Sequence, residues 1–363
     1  MTDDAPLTQR RLNRALLARQ LLLERSPLDP VAAVAHLGGV QAQEPEPPFL
    51  GLWSRLRDVA RPAVIDLLAA RRIVRGTTLR GTIHWTTADD YVAFRRTLQP
   101  VLDRALQQPA RRPLLAVPGL VDRARALLAD EPRTIADLRE PLAAAWPDRS
   151  PADLAMVARM TLPLLMVPDP AQRTGFPARA RFALAEELLG RPIAAQPAGS
   201  ALLRRYLLAF GPATAADATT WSGLTGTRAL LQGIEDVVVL RDEEGRELFD
   251  VAGAPLPAED VPAPVRFLPA FDNAILSHAD RRRIIRAEDR DALASRNGMV
   301  PPTVLHDGEV AATWGTVREG GRTRIGVVPL RRLSQRARAA IRAEGRRALR
   351  FLAPEAPGDV VVD

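Results

Sequence analysis

Residues 79–86 read Leu-Arg-Gly-Thr-Ile-His-Trp-Thr, and this stretch decides the fold that we expect of the chain. Every second residue is apolar or small, which is typical of a strand with one buried face. The residues that would point away from the core are Arg80, Thr82, His84 and Thr86. Helical patterns precede this strand, with starts at Asp29-Pro30, Pro47-Pro48 and Arg61-Pro62. Several helices followed by a strand ribbon predict a winged helix.

The same order of elements recurs twice along the chain. In the second set, residues 134–137 and 150–153 resemble capping boxes with Asp in place of Glu, and a hairpin is expected to turn at residues 172–175. In the third set, a helix runs through Phe210, another opens at Thr214, and a hairpin joins residues 237–240 to 246–250. The repeat is one of pattern without residue identity, and it predicts three tandem winged-helix units.

The last third of the chain has a different pattern. A Pro- and Ala-rich stretch, residues 255–264, reads as a linker. Five short strands are expected after it, at residues 265–268, 283–286, 300–305, 309–317 and 324–328, and a final helix at about 331–352. These runs predict a β-barrel-like or sandwich domain within an α+β fold. The predicted domains are residues 1–110, 111–196, 197–254 and 255–363.

Two residue types are absent from the chain, and their absence excludes several kinds of catalytic and binding site. It contains no Cys, and all 50 of its basic residues are Arg. The absence of Cys excludes disulfides, thiolate zinc sites and a Cys nucleophile. The absence of Lys excludes a Walker A loop, a PLP lysine and the Schiff-base lysine of glycosylases that also cleave the DNA backbone. The four histidines are far apart without metal-ligand spacing, so we predict no metal and no cofactor.

The charge of the chain favours an anionic partner. Its net charge is +7, and guanidinium groups pair bidentately with phosphate oxygens. A genome rich in GC would also account for the missing Lys, so composition permits a nucleic-acid partner without requiring one. We see neither a secretory pattern nor an apolar run of about 20 residues, and we therefore expect a cytoplasmic protein that does not enter membranes.

Residues 38–48 read Gly-Gly-Val-Gln-Ala-Gln-Glu-Pro-Glu-Pro-Pro, with two glutamines around one apolar residue. If this segment is extended or irregular, Gln41 and Gln43 project to the same side, whereas a helix would turn them apart. Two convergent amides can hold one water molecule but cannot deprotonate it strongly. Such a water attacks only a carbon whose leaving group is already good, as in N7-alkylated guanine. The alternative is that both glutamines are solvated or cap a neighbouring helix.

Several stretches together resemble the winged-helix DNA glycosylases of the AlkZ and YcaQ superfamily. They run from the N-terminal helix into the last third of the chain, at residues 12–20, 40–45, 51–55, 80–84, 211–214, 221–223, 271–273 and 277–281. The resemblance implies tandem winged helices around a C-terminal β-barrel-like region, with a concave DNA-binding face. In the AlkZ-like branch a glutamine–apolar–glutamine motif positions the catalytic water, and Gln41, Ala42 and Gln43 match that motif here.

The resemblance also implies a substrate. AlkZ-like enzymes excise N7-alkylguanine adducts, including bulky ones and crosslinks made by genotoxic natural products, and many confer self-resistance on antibiotic producers. We therefore expect a monofunctional, monomeric glycosylase that acts on double-stranded DNA containing alkylated guanine. The rival interpretation is a non-catalytic winged-helix regulator, in which Gln41 and Gln43 are structural.

Other polar residues are candidates for contacts with DNA. Arg80, Thr82 and His84 either line the lesion pocket or form an ordinary solvated strand face. Asn273 and His278, with Asp272, either contact the substrate or serve a turn and a helix cap. Two further candidates are Arg281 in the run 281–283 and the arginine stripe at 338, 342, 346 and 350, for which a solvated charged face is the alternative. Met299 is a candidate for an apolar wedge in the minor groove.

Overall fold

The computed structural model describes residues 5–293 and 300–363. The elements of the first part are α1 (Gln9–Arg19), α2 (Pro30–His36), β1 (Val40–Gln41) and α3 (Pro47–Trp53). The next are α4 (Arg61–Ala69), β2 (Ile73–Thr77), β3 (Ile83–Thr87), α5 (Ala88–Phe94), α6 (Gln99–Arg104), α7 (Leu120–Asp130), α8 (Arg139–Ala145), α9 (Pro151–Thr161), β4 (Leu164–Met166), β5 (Phe182–Leu184) and α10 (Ala185–Leu189).

The remaining elements belong to the second half of the chain. They are α11 (Gly199–Phe210), α12 (Ala215–Ser222), α13 (Thr227–Gln232), β6 (Val237–Arg241), β7 (Glu247–Val251), β8 (Arg266–Leu268), α14 (Asn273–Leu276), α15 (Arg290–Leu293), β9 (Thr303–His306), β10 (Glu309–Glu319), β11 (Arg322–Pro329), α16 (Gln335–Leu352) and β12 (Gly358–Val362). Among the residues described, no helix combines the length and the hydrophobicity that crossing a bilayer requires.

The chain divides into two compact units, and each unit combines segments that are not contiguous in the sequence. The first comprises Met1–Val59, Leu203–Trp221 and Thr227–Asp363, and the second comprises Ala60–Leu202 and Ser222–Gly226. The helices and strands given above make the fold mixed α+β, with several sheets. The winged-helix and β-barrel descriptions, and the four domain boundaries, stay predictions.

The second unit contains a sheet with the strand order β3-β2-β4-β5. The strand predicted from Leu79 begins only at Ile83, because Leu79–Gly81 form a 3-10 turn in which Arg80 and Gly81 both have positive φ. This turn closes the hairpin between β2 and β3. Every residue of β3 is buried, so the polar side of this strand is not solvated.

Gly76 in β2 leaves no room for a side chain. A Cβ atom there would lie 2.8 Å from Tyr91 Cε2 and 2.9 Å from Leu165 Cδ2. We expect Gly76→Ala to lower the free energy of unfolding by about 1–3 kcal/mol, because overpacking forces side chains off their rotamers. The matched control is Gly326→Ala in β11, where no described atom lies within 4 Å of the added carbon. Urea denaturation measures both, and equal stabilities would contradict the prediction.

The first unit contains a sheet with the strand order β12-β11-β10-β9-β8. Helix α16 packs against it, and Phe267, Ile325 and Ile341 belong to the core that they share. The predicted strands and the final helix are present, except at residues 283–286. That prediction is wrong, because Asp280 caps a 3-10 turn at Arg281–Arg283, with its carboxylate accepting from the amide of Arg282.

The predicted helix starts depend on local capping, and most are confirmed. Asp29 caps α2, and Ser150 caps α9. Thr214 and Asp217 exchange side chain-to-backbone hydrogen bonds at the start of α12, which is the capping-box pattern. The same exchange occurs between Thr134 and Asp137, but there it forms a turn, and α8 begins only at Arg139.

Candidate active site

The glutamine motif lies in a non-helical segment between α2 and α3. Gly38 and Gly39 end α2 with positive φ values of 64° and 104°, which a glycine adopts without strain. Gly38 also lies so close to Trp221 that a Cβ atom would come within 3.0 Å of its ring. The short strand β1 ends at Gln41, and no helix begins before Pro47. Of the two conformations considered for the motif, the non-helical one is therefore present.

The three residues of the motif differ in burial. Ala42 is fully buried and Gln41 is 8% exposed, whereas Gln43 is exposed. The buried methyl group of Ala42 anchors the segment, because moving it outward would expose apolar surface. One amide thus lies at the edge of the core and the other faces solvent. Amides in these positions can donate and accept hydrogen bonds but supply no charge.

Arg55 and Asp272 hold the elements around the motif together. Arg55 Nη2 lies 2.7 Å from Asp272 Oδ1, Arg55 Nη1 lies 2.8 Å from Asp272 Oδ2, and both side chains are buried. Arg55 also donates to the side-chain oxygen of Gln20, which links α1 to the same network. The sequence alone does not predict that these two residues are partners. A signal was available, since both charged residues lie in stretches that carry the family resemblance.

Asp272 fulfils the capping role that was the alternative to substrate contact, and Asn273 is the first residue of the helix that it caps. The carboxylate of Asp272 accepts from the amide of Ala274 at 2.9 Å and caps α14. Asn273 Nδ2 donates to the carbonyl oxygen of Gly39 at 3.3 Å. Asn273 is therefore brought to the base of the glutamine segment.

His278 is buried among aromatic rings away from the solvent. Its Nε2 lies 3.1 Å from the carbonyl oxygen of Phe210, and the rings of Tyr206 and Phe210 lie beside it. Burial lowers the pKa of His278 to about 3, so the ring is neutral and donates through Nε2. A neutral, buried imidazole supplies no charge for a phosphate.

Arg80, Thr82 and His84 lie close together in the second unit. Arg80 Nη2 lies 3.3 Å from His84 Nε2, and His84 Nδ1 lies 3.2 Å from the carbonyl oxygen of Thr82. His84 is fully buried, which excludes the solvated strand face as its environment. Burial, with the charge of Arg80 adding to it, lowers the pKa of His84 to about 3. The ring is thus neutral, with its proton on Nδ1.

The neutral state of His84 gives the stability a pH dependence. As the pH falls from 7 to 5, the unfolded chain binds a proton at this ring, whose unperturbed pKa is about 6.5, and the folded chain does not. Stability contributed by the neutral ring is therefore lost on acidification. Between pH 7 and pH 5, the free energy of unfolding should fall by about 2 kcal/mol less in His84→Gln than in the unsubstituted protein. Urea denaturation at the two pH values tests this, and equal losses would contradict a buried neutral ring.

The other candidates are dispersed. Arg281 lies in the 3-10 turn that follows His278 and is partly buried, and Met299 lies outside the described residues. The arginines at 338, 342, 346 and 350 all lie on α16. Among the residues that the structure describes, no three potential ligands are grouped as a metal site would require.

Comparison with known proteins shows what the chain is similar to. A family model described as DNA glycosylase AlkZ-like matches residues 34–351. An interstrand DNA cross-link repair glycosylase of Streptomyces sahachiroi is 29% identical over 131 residues, and the match covers 33% of this chain and 34% of that protein. The chain thus spans about a third of the length of the curated relative that it matches. The solved structure of Streptomyces sahachiroi DNA glycosylase AlkZ has the same fold, with a TM-score of 0.79, 19% identity, and coverage of 99% of this chain and 100% of that one.

Proposed function

The chain belongs to the AlkZ-like DNA glycosylase family, and on that premise we propose that it is a monofunctional glycosylase of N7-alkylguanine in double-stranded DNA. It hydrolyses the N-glycosidic bond and leaves an abasic site in an intact strand. The observation that carries the proposal is the Gln-Ala-Gln motif at residues 41–43, which lies within the matched region in a non-helical segment, with Gln43 exposed.

The chemistry requires little from the protein beyond positioning. N7 alkylation gives the guanine a formal positive charge, which weakens the bond between N9 and the sugar C1′. Gln41 and Gln43 hold one water molecule on the opposite side of C1′, and its oxygen attacks as the neutral alkylguanine departs. The water then loses its proton to solvent. Fixing the attacking water replaces a bimolecular encounter with an oriented one, and this lowers the barrier to hydrolysis.

No side chain of the sequence supplies the amine that a second, strand-cleaving step through a Schiff base would need. A Schiff base with the abasic sugar needs an amine of low pKa, and the sequence contains no Lys. Arg does not replace it, since its guanidinium group stays protonated. Strand cleavage is therefore expected only after treatment with alkali.

The predicted DNA contacts fall into two groups by exposure. Arg80, Thr82 and Arg281 are partly exposed, and we assign them contacts with the sugar–phosphate backbone. His84, Asn273 and His278 are buried. Their contribution to binding is to hold the segments that carry the exposed residues.

The substrates that we propose include bulky adducts and interstrand crosslinks. The support is the family match and the partial match to a relative whose name is interstrand DNA cross-link repair glycosylase. A role in DNA repair or in self-resistance of an antibiotic producer follows from such substrates. We propose that the protein acts as a monomer in the cytoplasm, without a metal.

The experiment is an excision assay on duplexes that carry one N7-methylguanine, one bulky N7 adduct or one crosslink. Cleavage at the adduct after alkali, with activity retained in EDTA, is the expected result. Binding of all duplexes without any excision would support the rival interpretation, a winged-helix regulator. Activity that EDTA abolishes would contradict the metal-free mechanism.

A further inference from the structure

A cavity of about 700 Å³ lies beside the 3-10 turn Arg281–Arg283, within the first unit. Its size is within the range of pockets that bind small molecules or parts of larger ones. Three guanidinium groups and one carboxylate contribute to its lining, from Arg281, Arg282, Arg290 and Asp280. His278 also lines it but is neutral. The cavity therefore carries an excess of positive charge.

The three consecutive arginines of the turn have different environments. Arg283 is buried and donates to the carbonyl oxygen of Pro212 at 3.0 Å. Arg282 contacts both carboxylate oxygens of Glu244, at 2.5 and 2.9 Å, and also pairs with Asp280 at 2.7 Å. The side chain of Arg281 makes no ion pair, hydrogen bond or ring contact with any residue that the structure describes.

Asp280 does not neutralise the charge of Arg281, because its carboxylate already forms ion pairs with other arginines. Its carboxylate lies 2.7 Å from both Arg282 and Arg246, and 3.8 Å from Arg290. Burial acts to raise the pKa of Asp280, but the hydrogen bonds from Arg282 and Arg246 hold it well below its usual range. Asp280 therefore stays ionised and fixes the positions of its partners.

Partial burial of Arg281 without a partner has a cost, since removing a charge from water is unfavourable. Burial lowers the pKa of this group, yet a guanidinium keeps its proton at neutral pH. An anion in the cavity would offset that cost. A phosphate suits it, because the planar fork of Arg pairs with two phosphate oxygens at once.

We propose that Arg281 and this cavity bind one phosphodiester group of the DNA strand, and that Arg282 and Arg283 do not contact DNA. This assignment rests on DNA being the substrate, as in the proposed function, but not on base excision. The run of three arginines thus contributes one phosphate contact rather than three, because ion pairs and burial already engage the other two.

The test is the salt dependence of binding to an undamaged duplex, measured by fluorescence anisotropy for the full-length protein. We expect Arg281→Gln to reduce the slope of log K against log salt by about 0.9 and to weaken binding on the order of tenfold at 0.1 M salt. Arg281→Lys should keep most of the slope, since the charge remains. The matched control is Arg204→Gln, because Arg204 is already paired with Asp236 at 2.6 Å, and it should bind as the unsubstituted protein does.

Two outcomes would overturn the assignment. The first is an unchanged slope and affinity in Arg281→Gln, with thermal unfolding showing that the variant is folded. The second is that inorganic phosphate raises the Tm of the unsubstituted protein but not of Arg281→Gln while DNA binding is unaffected, which would mean that the cavity takes free phosphate. Because the duplex is undamaged, a protein that lacks glycosylase activity would still show the Arg281 effect, so the two proposals fail separately.

Discussion

Gln43→Ala is expected to reduce the rate of N7-methylguanine excision by about a hundredfold or more, because the attacking water loses one of the two groups that orient it. Gln43 is exposed, so its loss should change the free energy of unfolding by about 0.5 kcal/mol or less. Affinity for undamaged DNA should stay close to that of the unsubstituted protein. Single-turnover kinetics with alkaline cleavage measure the rate, and anisotropy measures the affinity.

Gln41→Ala provides an independent check on the same water. Gln41 is only 8% exposed, so this variant should lose both activity and some stability. The matched control is Gln108→Ala, which removes an exposed glutamine elsewhere in the chain and should leave the rate unchanged. If the double variant of Gln41 and Gln43 excised the adduct at the original rate, these amides would not position the water.

Breaking the buried ion pair of Arg55 and Asp272 should have the largest effect on stability. Replacing either partner alone, as in Arg55→Met or Asp272→Leu, leaves the other charge buried and unpaired, which costs about 3–5 kcal/mol. The free energy of unfolding from urea denaturation measures this. The double variant is expected to be more stable than either single one, because no uncompensated charge remains.

A neighbouring ion pair is the control for this prediction. Arg57 pairs with Glu24, but their side chains are 53% and 80% exposed, so Arg57→Met should cost about 0–1 kcal/mol. A loss in Arg55→Met no larger than that in Arg57→Met would show that burial does not make the Arg55 pair essential. Asp272 also caps α14, and Asn273 of that helix contacts Gly39, which precedes the glutamine motif. We therefore expect Asp272→Leu to slow excision even in its folded fraction.

Helix starts were predictable where they depend on hydrogen bonds between residues close in sequence. The predicted strands were wrong where a turn or a cap interrupts an apolar spacing that fits a strand. The starts of α2, α9 and α12 depend on a side chain that bonds to an amide two or three residues away, so a short window suffices. The strand expected from Leu79 begins only at Ile83, after a turn, and residues 283–286 form no strand. Their apolar spacing fits a strand, but positive φ at Arg80 and capping by Asp280 reverse or tighten the backbone.

The sequence by itself determined the motif, the absence of Lys and Cys, and the resemblance that led to the family, since these depend on residue identity alone. Only the tertiary structure decided that Arg55 pairs with Asp272, 217 residues away, and that Arg19 pairs with Asp250, 231 residues away. It also decided that His84 is buried and that Arg281 alone of its run lacks a partner among the described residues. The identity of a charged residue does not reveal whether its side chain is paired, buried or accessible to a ligand. The difference comes from the segments that folding brings around it.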